Sequence, residues 1–123
     1  MNDLASDAVR FRLPMAHRLK LRREFERVRK EGRAVRGGLL MLSVLPVDGE
    51  KRFRVGLITS RRVGGAVARN RVRRRLREIV RRNQQALKGG IWFVVIARRS
   101  VAQTDSAALE AEWLRLAQRT GIL

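Results

Sequence analysis

Between Arg61 and Arg82 the chain carries ten arginines and one acid, Glu78. A guanidinium is a planar fork of donors that matches two phosphate oxygens at once and keeps its charge at any physiological pH. The chemistry this run supports is therefore the binding of a polyanion. Its apolar residues keep helical spacing: Val72, Leu76, Ile79 and Val80 fall at i, i+4, i+7 and i+8, and Ala68 and Leu87 extend the stripe. At about 100° per residue, Arg71, Arg73, Arg74, Arg75, Arg77, Arg81 and Arg82 fan over the remaining circumference, with Arg69 at the seam edge. The pattern predicts one helix docked by a narrow seam, entered through the bend at Gly64–Gly65 and ended by Gly89–Gly90. Like charges one turn apart destabilise a helix, and a merely solvated face mixes its signs. A face this uniform implies a partner.

Other chemistries find little support. The acids are scattered: Glu24, Glu26 and Glu31 on or beside a short helix, Asp48 and Glu50 in a turn, and Glu78 expected to pair with Arg74, Arg75 or Arg82. None converges on a second titratable group or shows metal-ligand spacing, so no catalytic and no metal-binding residue is assigned. His17, the sole histidine, reads as a solvated turn residue. The absence of cysteine excludes thiolate zinc sites and a cysteine nucleophile. Gly64–Gly65 lacks the spacing of a nucleotide-binding loop, although the free amides of a helix start can meet a backbone phosphate. Base readout in a DNA groove needs short polar groups among the cations, and Asn70 is the main one before Asn83. A folded RNA, with irregularly spaced phosphates, suits the surface better.

The whole chain agrees. Its 123 residues suffice for one domain, and a net charge of +18, from 29 basic and 11 acidic residues, calls for a polyanionic partner. No apolar run reaches the length of a membrane span, the first residues lack the features of a secretory signal, and the expected location is the cytoplasm. Residues 1–18 are expected to form a tail, with Phe11, Leu13 and Met15 as pins, ahead of a single domain at 19–123. Leu21, Phe25 and Val28 predict a helix over Arg22–Glu31 stopped at Gly32. Within it, Phe25 reads either as core or as a partly exposed stacking surface for a base. A short edge strand around Ala34–Val35 follows, then a buried strand Leu39–Leu45 and a return strand Arg52–Thr59. The Asp48–Gly49 turn predicts that these two pair antiparallel. Ile91–Ala97, apolar on both faces, should be a central strand. Thr104 or Asp105 should cap a last helix reaching about Thr120, with Leu109, Trp113, Leu116 and Ala117 inward.

The stretch Arg54–Glu78, with Gly-Gly-Ala-Val-Ala-Arg-Asn-Arg at its centre, closely resembles the bacterial ribonuclease P protein subunit. Leu19–Gly32 is similar to that family's first helix and Val94–Arg98 to its last strand. The resemblance implies an α+β fold, an α-β-β-β-α-β-α sandwich with a mixed four-stranded sheet and a left-handed crossover through the arginine helix. It implies a protein subunit whose RNA partner removes the 5′ leader of precursor tRNA, with Mg2+ in the RNA active site and the protein alone non-catalytic. It also implies RNA contacts at Arg61, Arg62, Arg69, Asn70, Arg71, Arg73, Arg74 and Arg77, and leader contacts at Phe25 and Arg29 in a cleft between the first helix and the sheet. Arg29 replaces an often aromatic residue, Ser43 stands where an aromatic is common, and Ile58 where a small polar residue can occur, so this cleft should stack bases less and hold backbone more. The partners implied are the catalytic RNA and precursor tRNA, with no membrane and no obligate protein partner. The alternative is a scaffold protein for structured RNA, of ribosomal type.

Overall fold

The structure is a computed structural model and describes residues 14–123. Three helices and four strands follow one another as α1 (Arg22–Glu31), β1 (Arg33–Arg36), β2 (Leu40–Pro46), β3 (Arg54–Thr59), α2 (Ala66–Arg82), β4 (Ile91–Ala97) and α3 (Ser106–Thr120). The sheet order is β1-β2-β4-β3. β1 and β2 pair antiparallel, as do β2 and β4, while β3 and β4 run parallel with α2 as their crossover. This is the mixed α-β-β-β-α-β-α sandwich.

One sequence expectation fails. Leu39–Leu45 and Arg52–Thr59 do not pair with each other, because β4 lies between them. Burial decides the matter. Phe93, Val94 and Val95 are fully buried, on both faces of β4, as an apolar strand paired along both edges by β2 and β3 requires. The Asp48–Gly49 turn therefore belongs to a wider loop that crosses the start of β4, where Val47 N–H donates to the Gly90 carbonyl (2.9 Å) and Gly90 N–H to that of Arg52 (3.0 Å).

The two faces of the sheet are covered unequally. On one, Leu40, Leu42, Val44, Val55, Phe93 and Val95 pack with Leu76, Ile79 and Val80 of α2 and Leu109, Trp113 and Leu116 of α3. On the other, α1 alone lies over a small core of Leu19, Val28 and Val94, fringed by the half-buried Phe25, Leu45, Ile58, Trp92 and Ile96. Ser43 belongs to this second face, where its hydroxyl donates to the Val28 carbonyl (3.1 Å) and ties α1 to β2.

The arginine helix is shorter than expected. It stops at Arg82, before Gly89–Gly90. Asn83 Nδ2 donates to the Ile79 carbonyl (2.8 Å), competing with helix continuation, and a 3-10 turn Gln84–Ala86 then returns Leu87 to the core. In α3, Asp105 is the cap, accepting from Ala108 N–H at 2.8 Å.

His17 is not a solvated turn residue. It lies in a 3-10 turn, half-buried, stacked on Phe53 at 4.1 Å between ring centroids, and its Nδ1–H donates to the Phe53 carbonyl (2.8 Å). Apolar stacking on a core ring explains its withdrawal from water. The end of the expected tail thus belongs to the body: Arg18 bridges Val55 in parallel and Leu19 N–H donates to the Val55 carbonyl (2.9 Å). Phe11, Leu13 and the Met15 side chain lie outside the described residues. No described helix is long and apolar enough to cross a membrane.

Candidate nucleic-acid interface

The interface begins where β3 ends. Ser60 Oγ accepts from Arg62 N–H (3.3 Å) and starts a 3-10 turn, Arg61–Val63, whose Val63 is buried and whose two arginines are exposed. Gly64 follows at φ 148°, a conformation that L side chains rarely adopt, and α2 starts two residues later. The apolar stripe then sets the orientation of the cations. Val72, Leu76, Ile79 and Val80 are buried, which leaves Asn70, Arg71, Arg74 and Arg77 exposed and Arg69 and Arg73 half-buried at the seam. Asn70 Oδ1 accepts a short bond from Arg73 Nη2, so the amide orients a neighbouring guanidinium.

Arginines on α2 differ in their partners. Among the described residues, no carboxylate forms an ion pair with Arg69, Arg71, Arg73, Arg74 or Arg77. Glu78 instead takes Arg81, whose Nε lies 2.9 Å from Oε2, and Arg82 at 3.8 Å, while Arg82 also reaches Glu110. Of the expected partners, Arg82 is present and Arg74 and Arg75 are not. Arg75 turns the other way, toward the Thr104 carbonyl (2.9 Å).

A cleft opens between α2, β3 and α1, lined by Arg18, Leu19, Phe25, Val55, Gly56, Leu57, Arg73 and Arg77, with a cavity of about 130 Å³. Phe25 lies flat against Gly56: a Cβ there would stand 2.3 Å from the Phe25 ring. Missing bulk on the strand thus seats the ring, which is half-buried, packs against the small core and borders the cleft. Desolvation, then repulsion from Arg18, Arg73 and Arg74, pulls the Arg77 pKa below the ordinary arginine value. The cleft is a place where positive charge accumulates and an anion would relieve it.

Phe25, Arg73 and Arg77 are therefore brought together. Arg29 is not with them: it is exposed on α1, beside Glu26 and Lys30 in a separate shallow depression. Arg18, Leu19 and Gly56 were missed as cleft residues. A glycine interrupting an alternating strand was the available signal for the last of them. Among the described residues no cluster of His, Cys, Asp and Glu could hold a metal ion.

The sequence model of the family described as Ribonuclease P matches residues 13–121. This chain belongs to the ribonuclease P protein component family. Membership makes it a protein subunit of the ribonuclease P endoribonuclease, an enzyme of tRNA processing. The ribonuclease P protein component of Roseiflexus castenholzii is 41% identical over 110 residues, 88% of either chain. That of Halalkalibacterium halodurans is 43% identical over 86 residues, 70% of this chain and 72% of its own length. Among solved structures, the RNase P protein of Thermotoga maritima is 31% identical with a TM-score of 0.76, over 83% of this chain and 96% of that one. A mutant RNase P protein of Staphylococcus aureus superposes with a TM-score of 0.84 over 100% of both chains at 20% identity, a likeness of fold alone.

Proposed function

We propose that this subunit binds the ribonuclease P RNA through α2 and the turn before it, and receives the single-stranded 5′ leader of precursor tRNA in the cleft between α1, β3 and α2. Arg61, Arg62, Arg69, Arg71 and Arg74 offer exposed or edge guanidiniums to RNA phosphates, and Asn70 orients Arg73. Arg73 and Arg77 face the cleft and would meet leader backbone, with Phe25 presenting part of a ring beside them. Arg29, away from that cavity, would touch the leader only further along its path.

Hydrolysis belongs, in this reading, to the RNA. Mg2+ would be held by RNA phosphates, and the chain would supply cations around them without coordinating the metal. The observation that carries the proposal is the set of arginines from Arg69 to Arg77 on α2 that have no carboxylate partner among the described residues, on a helix whose last two arginines are paired with Glu78 and Glu110. The test is reconstitution with the cognate RNA at low Mg2+. Added protein should permit cleavage of precursor tRNA that neither component achieves alone under those conditions. Cleavage by the RNA-free protein, or no gain on mixing, would refute the reading.

A further inference from the structure

On the opposite flank of α1 lies a second cavity, of about 480 Å³, that shares no lining residue with the cleft at Phe25. Its walls are Arg23, Glu24, Glu26, Arg27, Lys30, Glu31 and, at the base, Trp92 from the start of β4. The chain's other tryptophan, Trp113, is fully buried. Trp92 is half-buried and held by its polar edge: Nε1–H donates to Glu50 Oε1 at 3.0 Å. The guanidinium carbons of Arg27 and Arg54 lie 5.5 and 5.9 Å from the ring centroid, within cation–π reach.

The acids here do not make the cavity hostile to RNA. Glu50, at the polar edge of the ring, is committed to Trp92 and to Arg54 (2.9 Å), Glu24 to the amides of Lys20 and Leu21 (both 2.8 Å) and to Arg54 (3.4 Å), and Glu26 to Arg22 (3.0 Å). The indole hydrogen bond, against the opposing effect of burial, keeps Glu50 below the usual carboxylate range. Arg23 and Lys30 stand exposed on the wall. Arg27, the residue over the ring, has among the described residues one ion pair, an exposed one with Glu31 at 3.6 Å, besides its contact with the indole, and its side chain is 45% exposed, so it can swing aside. The result is an oriented indole in a slot with movable cations at its rim. Fixing the ring beforehand lowers the ordering cost of binding.

We infer that the Trp92 cavity is a second RNA contact, in which one unpaired nucleobase stacks on the indole with Arg27 over or beside it and Arg23 or Lys30 near the adjoining phosphate. The inference rests on the reading of this chain as an RNA-binding subunit. The unpaired base can come from the precursor's leader or from a single-stranded segment of the ribonuclease P RNA, and the two sources are separable.

The experiment follows tryptophan emission and the anisotropy of end-labelled RNA in the same titration. The RNAs are a single-stranded oligoadenylate, precursor tRNA with a long leader, the same tRNA without leader, and ribonuclease P RNA alone. Binding of the oligoadenylate should quench the emission, and Trp92→Phe should abolish the quench, because the remaining Trp113 is sealed in the core. Trp92→Ala should weaken oligoadenylate binding about tenfold, with Trp92→Phe retaining most of the affinity and thermal melts showing both variants folded. Quenching by the long-leader precursor but not the leaderless tRNA assigns the base to the leader, and quenching by ribonuclease P RNA alone assigns it to that RNA. A rise in anisotropy with unchanged emission would overturn this inference and leave the RNA-binding reading intact. No rise in anisotropy with any RNA would overturn both.

Discussion

Arg73 and Arg81 sit about two turns apart on one helix, the first near its middle and the second at its end, in opposite electrostatic circumstances. Arg73 points into a cleft already shared by Arg18 and Arg77, with an amide as its nearest oriented partner. Arg81 is 11% exposed and doubly bonded to Glu78, with Arg82 and Glu110 extending the network onto α3. The difference lies in where the acids are. Glu78 and Glu110 both serve the C-terminal end of α2, so that end is cross-linked to the body while the cations nearer the start are left to find charge elsewhere. The same residue type is thus used for attachment at one end and, in the proposed reading, for recognition at the other.

The largest expected effect follows from the recognition end. Arg73→Ala with Arg77→Ala should lower affinity for precursor tRNA in the holoenzyme roughly tenfold or more, and reduce the salt slope by about 0.7–0.9 for each phosphate that is no longer neutralised. Thermal stability should hold or rise, since the folded state is relieved of the burial of the Arg77 charge and of its repulsion by Arg73, which together with Arg18 and Arg74 lower the Arg77 pKa. An unchanged slope with a lower melting temperature would reverse the assignment. Next comes Gly56→Ala. A Cβ 2.3 Å from the Phe25 ring forces the ring outward or α1 off the sheet, at about 1–3 kcal/mol, read as a drop in melting temperature. Phe25→Ala in that background should lower the melting temperature little further, because both substitutions act on the same packing of ring against strand.

The boundaries of α1 and the apolar stripe of α2 were legible because helical periodicity is local: Val72, Leu76, Ile79 and Val80 announce their face through spacing alone. So was the central place of β4. What remained hidden depends on partners distant in sequence. The pairing of β2 and β3 was misjudged because an Asp-Gly turn speaks for a hairpin, and only the cost of exposing β4 overrules it. Nothing in the spacing of α3 singles out Glu112. It is 5% exposed and its Oε2 accepts from the amides of Leu39 and Leu40, both at 2.6 Å, fastening the start of β2 to the helix. In the interface, a cationic helix face could be read from the run and the individual arginines proposed for RNA contact came from the family resemblance, but the division into tied and untied sets could not be read, since Glu110 is remote in sequence from the helix end it neutralises.

The attachment end supplies a pH test of intermediate size. The bond from Arg81, against the opposing effect of burial and with the fields of Arg81 and Arg82, lowers the Glu78 pKa from 4.5. A carboxylate whose folded pKa is depressed contributes stability that is fully present above its unfolded value and is lost as pH falls through the folded value. Glu78→Gln should therefore cost about 1 kcal/mol at neutral pH, where the acid is ionised and paired. The gap to the native protein should close as pH drops below 4.5. A gap that stayed constant into acid would mean that Glu78 stabilises through packing, with no contribution from its charge.

Arg82→Ala should have the smallest effect and bears most directly on the division of the helix. The side chain is 44% exposed, so its pairs with Glu78 and Glu110 are screened and worth about 0.5 kcal/mol together. Its removal leaves both acids partnered, Glu78 by Arg81 and Glu110 by Asn83 Nδ2 at 3.2 Å. If Arg82 only attaches the helix to the body, the salt slope of RNA binding will not change. If the slope falls by about one, Arg82 exchanges Glu110 for a phosphate when RNA arrives. The line between attachment and recognition would then run between Arg81 and Arg82, with Glu110 as a placeholder for RNA.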